Sequence, residues 1–159
     1  MLSFLQELDL RRSDRQITDN EAIDIINNGE YGILSLVASD NNGYGIPLSY
    51  AFSNNTLYFH CAGEGSKLDY IRRNNKVSFC VVGKTEVLPA KFSTKYESAI
   101  ITGLAIEIQG EEKREALTLL IKKYSPDFMN EGIEYINRAF DKTTVVKIIP
   151  ESITGKARR

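Results

Sequence analysis

The sequence is short of the residues that build metal and covalent frameworks. It has two cysteines, Cys61 and Cys80, and one histidine, His60. These three cannot close a four-ligand structural zinc site without carboxylates or a second chain, and two thiols make no disulfide framework. Charge of one sign is lacking too: 20 Lys and Arg against 21 Asp and Glu leave a net charge of -1. No global field recruits phosphate backbones, so nucleic acid is not an expected partner. Apolar runs such as residues 79–82 fall far short of the ~20 residues of a membrane-spanning helix. Acidic residues interrupt the amino end, which lacks the order of a cleavable signal, so the expected location is cytoplasmic with no membrane partner. Repeats, low-complexity tracts and Pro/Gly/Ser linkers are missing, and one domain over residues 1–159 is expected.

What remains is ordinary globular composition, 42% hydrophobic and 26% charged, too apolar for a disordered chain. Thr18-Asp19-Asn20-Glu21 has capping-box form, and Ala22, Ile23 and Ile26 share a face before Gly29, which predicts a short amphipathic helix. Residues 31–39 and 44–52 read as strands joined by the turn Asp40-Asn41-Asn42-Gly43. A third strand runs from Leu57 to Cys61, and Ser66 opens a helix with capping-box spacing to Asp69. Lys76 to Val82 is a fourth strand, residues 83–94 read as irregular, and Tyr96 to Ile108 is a long strand with Gly103 as a bend or bulge. Glu111 to Tyr124 predicts a helix, and Asn130 caps another with Ile133, Ile136 and Phe140 inward. The last strand, Thr143 to Ile149, is expected to stop at Pro150 before a basic tail. Six strands joined mostly by turns predict a mainly β protein: an antiparallel sheet closed into a small β-barrel with peripheral helices, with an open α+β sheet as the alternative.

Two features point to a ligand. In the second strand, alternation puts Gly45, Pro47, Ser49 and Ala51 on one face, small and flat enough for a planar ring. In the stretch from Tyr58 to Asn74, a strand runs through Gly63 and Gly65 into a helix with Ser66 and Lys67 in its first turn. Free amides, the positive end of the helix dipole, a hydroxyl and an ammonium there can converge on a phosphate. His60 reads either as a residue satisfied by one hydrogen bond or as a ligand contact or catalytic group. Cys61 points to the opposite face, which argues against a His and Cys nucleophilic pair.

In order and spacing, RRSDRQITD, GYGIPLSYAF, LYFHCAGEGSKLDYIRRN, KYESAIITGLA, EEKREALTLL and ESITGKARR resemble the flavin-binding split barrels related to pyridoxamine phosphate oxidase, and within them the nitroimidazole-resistance (Nim-like) group. The resemblance implies a six-stranded antiparallel FMN-binding split barrel working as a homodimer, with flavin at the subunit interface. It implies FMN (or FAD) phosphate held by His60, Gly65, Ser66 and Lys67, and a ring lying against Pro47, Leu48, Ser49 and Tyr50. Ser93, Tyr96 and Ser98 would come from the second subunit. The implied activity is a flavin-dependent oxidoreductase that takes electrons from NAD(P)H and reduces a small-molecule acceptor such as a nitroimidazole or other nitroaromatic. His60 is then the catalytic candidate. A non-catalytic flavin or haem carrier or sensor is the other reading.

Overall fold

A computed structural model describes residues 13–159; the amino end, with its expected lack of a cleavable signal, lies outside the described residues. The chain runs α1 (Asp19–Asn28), β1 (Gly32–Val37), β2 (Gly43–Leu48), β3 (Ala51–Ser53), β4 (Thr56–Ala62), α2 (Ser66–Arg73), β5 (Lys76–Leu88), β6 (Ser93–Ile108), α3 (Gly110–Tyr124), α4 (Met129–Ala139) and β7 (Thr143–Arg158). The seven strands form one antiparallel sheet in the order β2-β1-β5-β6-β7-β4-β3. Its two edge strands, β2 and β3, are consecutive in sequence and joined only by Ser49 and Tyr50. Laid flat, six gaps of about 4.8 Å would hold the edges roughly 29 Å apart, whereas the three peptide steps from Leu48 to Ala51 span at most about 11 Å. The sheet must therefore curl until its edges approach, but no ladder joins β2 to the other edge, so the barrel expected from the sequence is not closed.

The curled sheet encloses Leu34, Phe59, Phe79, Val81, Ile101 and Ile148, all fully buried, with Ile26 of α1 and Leu68 and Ile71 of α2 packed among them. A second apolar cluster lies outside the sheet, where Ala116, Leu117 and Leu120 of α3 and Ile136 of α4 cover Ala51, Ile108 and Val145. The outer face of β5, β6 and β7 carries exposed apolar side chains, among them Val82, Ile100, Ile106 and Ile149.

Mainly β architecture with peripheral helices is what the sequence predicts, and Thr18 and Glu21 do form a capping box. Several boundaries differ. There are seven strands, not six, because the strand expected over residues 44–52 breaks at Ser49 and Tyr50, where the chain changes sheet edge. Pro150 does not end β7: Thr102 pairs with Ser152 but Gly103 with Pro150, so the proline sits at a bulge, beyond the last β4 pair at Ile148, where its missing N–H faces no ladder. Residues 83–88 are strand, because a bulge absorbs Gly83. Glu97 lies over Gly83, and its carboxylate accepts the Lys84 N–H at 3.2 Å, supplying the acceptor that the bulge removes. The Ser66 to Asp69 capping box does not form: Gly65 is the N-cap and no side chain caps α2. Helix α4 likewise begins at Met129 rather than after an Asn130 cap, and Ile133 is exposed.

Candidate functional site

The loop between β4 and α2 has the geometry of an anion cradle. Gly65 sits at φ 132°, ψ 163°, a conformation essentially reserved for glycine. A Cβ there would meet nothing within 4 Å, so the backbone is open to a ligand. The Leu68 and Asp69 amides turn back to the Gly65 carbonyl at 3.0 and 3.3 Å, leaving the Ser66 and Lys67 amides at the positive end of the helix. The other two cations of α2 are committed. Arg72 Nε donates to Glu107 at 2.6 Å, and Arg73 Nη1 donates to the Ser39 carbonyl. Lys67 has no carboxylate partner among the described residues; its ammonium stands 5.9 Å from the Phe59 ring centroid.

Beside this loop the sheet is split. Strand β3 pairs with β4 only from Ser53↔Thr56 to Ala51↔Tyr58. Continued, that register would set Ser49 opposite His60 and Pro47 opposite Ala62, but β2 and β4 share no ladder. Pro47 has no N–H to give, and β2 pairs instead with β1, Pro47 against Ile33. Alternation along both strands turns Pro47, Ser49, His60 and Ala62 outward, all of them exposed, at the rim of the split and a few residues from Gly65. The flat face expected over Gly45, Pro47 and Ser49 is thus present; Ala51 differs, being buried under α3.

The His60 imidazole has no hydrogen-bond partner among the described residues. Its pKa is pushed below the ordinary 6.5, first by partial burial and then by the nearby Lys67 ammonium, so the ring is neutral at pH 7 and free to accept or donate one hydrogen bond. Since His60 is the only histidine, its proton resonance reports this directly. Its NMR titration midpoint is expected below 6.5, and Lys67→Ala should raise it; an unchanged midpoint in the variant would remove Lys67 from the site's electrostatics.

Not all the residues singled out in the sequence meet here. Leu48 points inward and packs on the core. Tyr50 is a core residue: its ring is fully buried and meets Phe79 edge-on at 5.0 Å, and its hydroxyl donates to the Ile26 carbonyl. Only its backbone borders the split. Ser93, Tyr96 and Ser98 lie at the opposite end of β7 from the loop, since Tyr96 pairs with Arg158 whereas Ala62 pairs with Thr143. That is roughly 50 Å of strand, so within one chain the two groups stand at opposite ends of the sheet. A cavity of about 730 Å³ between α1 and β5 is lined by Glu97 and Lys84 among others, and one of about 510 Å³ lies beside α3; neither includes residues 63–67. No local signal in the sequence marks Lys123 and Tyr124 as neighbours of Tyr50. They look like the end of an amphipathic helix, and only the fold shows Tyr124 against Tyr50. No group of three or more potential metal ligands is present among the described residues.

Residues 18–157 match the family model for pyridoxamine 5'-phosphate oxidase. Among solved structures, a Bacteroides thetaiotaomicron protein named for 5-nitroimidazole antibiotic resistance is similar at 25% identity, over 89% of this chain and 86% of that one, with a TM-score of 0.73. A conserved Mycobacterium tuberculosis protein, Rv2991, matches at 16% identity over 94% and 91% of the two chains with a TM-score of 0.81. A Mycobacterium smegmatis protein described as binding FAD and heme matches at 18% identity over 91% and 74%, with a TM-score of 0.79. No curated protein matches the sequence.

Proposed function

Because the chain belongs to the pyridoxamine 5'-phosphate oxidase family, we propose that it is a flavin-dependent reductase acting as a homodimer. The observation that carries this is the open cradle at Gly65 beside an uncommitted Lys67. A dianionic phosphate suits this site, since the Ser66 and Lys67 amides, the Ser66 hydroxyl and the Lys67 ammonium all belong to the helix start and no side chain lies within 4 Å of a Cβ placed on Gly65. From that anchor a flavin ring would extend along the split against Pro47 and Ser49, with His60 at its edge. FMN needs no more than this; FAD would leave its second phosphate to be held by other groups.

The second copy is supported by two features of the fold. Ser93 to Ser98 cannot reach the cradle of their own chain, and the outer sheet face exposes Val82 and Ile100, with 56% and 43% of their surfaces accessible. Covering such a patch is what a dimer interface does. When bound, flavin supplies the redox chemistry, accepting a hydride from NAD(P)H and delivering electrons to an oxidised acceptor such as a nitroimidazole. The chain's own contribution is to hold the phosphate, present a flat wall to the ring and offer the neutral His60 imidazole as a hydrogen-bonding group.

A carrier or sensor is the second reading, favoured by one observation: no carboxylate or thiol pairs with His60 among the described residues. One experiment separates them. Apo protein titrated with FMN should gain a bound flavin spectrum with one flavin per chain. Anaerobic NADH or NADPH should then bleach it, and a nitroaromatic should restore the colour. Binding without bleaching selects the flavin carrier, failure to bind either FMN or FAD overturns the reductase and the flavin carrier alike, and added haem then tests the haem carrier.

A further inference from the structure

The crossover at Ser49 and Tyr50 joins the two sheet edges and borders the split, yet it has no strand beside it. Its main-chain groups are met by a helix side chain instead. The Tyr124 hydroxyl, at the end of α3, accepts the Tyr50 N–H at 3.0 Å and lies 3.1 Å from the Tyr50 carbonyl, while it donates to the Glu30 carbonyl at 2.5 Å. One phenol thus replaces the ladder contacts that residue 50 would make with a neighbouring strand, and ties the crossover to the entry of β1. The preceding residue adds a second peculiarity. The Lys123 ammonium is wholly buried with no hydrogen-bond partner, 3.7 Å from the Tyr50 ring centroid and 5.3 Å from that of Tyr124.

We propose that Tyr124 and Lys123 are opposed positioning residues for the split: from the end of α3, Tyr124 fixes the Ser49–Tyr50 crossover and the charged Lys123 works to loosen it, and together they set how far β2 stands from β4. The proposal deepens the flavin reading, on which its ligand arm rests. Tyr124 holds the crossover in place, and Lys123 loads it with an uncompensated charge that only the Tyr50 and Tyr124 ring faces attenuate. The titratable groups packed against the ammonium are these two phenols. Burial alone lowers the Lys123 pKa, to about 8, with no carboxylate contributing, and burial also raises that of Tyr50, so its phenol stays neutral. Opening the crossover hydrates the ammonium. Proton binding at Lys123 therefore favours the open form, and the arrangement seen here tightens as the amine becomes neutral.

With a folded value of about 8 and an ordinary value near 10.4 in the opened form, the open fraction should fall about tenfold between about pH 7 and about pH 9. Amide exchange at Tyr50 in the ligand-free protein, corrected for the intrinsic rate, should show that fall. In Lys123→Met it should be slow and flat, and in Tyr124→Phe it should be at least tenfold faster while core amides of β5 and β6 are unchanged. A flat wild-type profile, or one that survives Lys123→Met, overturns the role of Lys123. Unchanged Tyr50 exchange in Tyr124→Phe overturns that of Tyr124. FMN dissociation should follow the same pattern, slower at pH 9 than at pH 7 in the wild type and slow at both in Lys123→Met. Should the protein take up no flavin at all, the flavin reading fails, and the exchange result still decides this one.

Discussion

Gly103→Ala is expected to cost the fold about 3 kcal/mol or more, at the upper end of overpacking effects, because the clash is with main chain. A Cβ at Gly103 would overlap the Ile149 carbonyl oxygen and come within 2.9 Å of the Ile149 carbonyl carbon and 3.1 Å of the Pro150 Cα. No rotamer change relieves that. The strands β6 and β7 would have to part at the bulge where Gly103 faces Pro150, and this pairing runs through the centre of the sheet. At the 2–4 °C per kcal/mol usual for a chain of this size, the melting temperature should drop by roughly 6–12 °C. Gly65→Ala is the control, since a Cβ there meets nothing within 4 Å and only the φ of 132° opposes it; its cost should be nearer 1–2 kcal/mol. Chemical denaturation of both variants checks the order. A Gly103→Ala variant within 1 kcal/mol of the parent would mean that β7 passes the bulge differently.

These two glycines show how far the sequence could be read. Gly103 stands out within a long apolar strand, and a bulge is the standard reason for such a residue; a helix opening at Ser66 is legible in the same way, although Gly65 is its N-cap and the expected Ser66 to Asp69 capping box does not form. The bulge and the helix start rest on local backbone rules and hold. The readings that miss concern places where a distant element supplies what the local chain lacks. Pro150 and Gly83 look like strand ends, but Glu97 reaches back to Lys84 and β6 continues to pair beside the proline. Ser49 and Tyr50 look like the middle of a strand because their alternation is perfect. Nothing within ten residues says that the phenol of Tyr124, 74 positions away, will take the Tyr50 amide out of the sheet. The same non-local contacts turn Tyr50 from a candidate ring contact into a core residue, whereas Lys67, whose position depends on the helix start alone, stands where the sequence placed it.

Lys67→Glu should separate binding from folding through opposite signs. A lysine in the first turn of α2 opposes the helix dipole, so replacing it with an acid helps the helix by about 0.3–1 kcal/mol. The residue makes no ion pair among the described residues whose loss would offset this gain. Stability should therefore hold or rise slightly. A phosphate at the Ser66 and Lys67 amides would meet a carboxylate in place of an ammonium, and losing a charge-assisted contact while gaining repulsion costs about 3 kcal/mol or more, at least a hundredfold in FMN affinity. Riboflavin carries the same ring without the phosphate, so its weaker binding should change less than threefold. The comparison is a double-mutant cycle in which one partner is altered on the ligand. Equal losses for FMN and riboflavin would place Lys67 near the ring instead of the phosphate. Unchanged FMN affinity, in a variant as stable as the parent, would show that the cradle at Gly65 does not hold the phosphate.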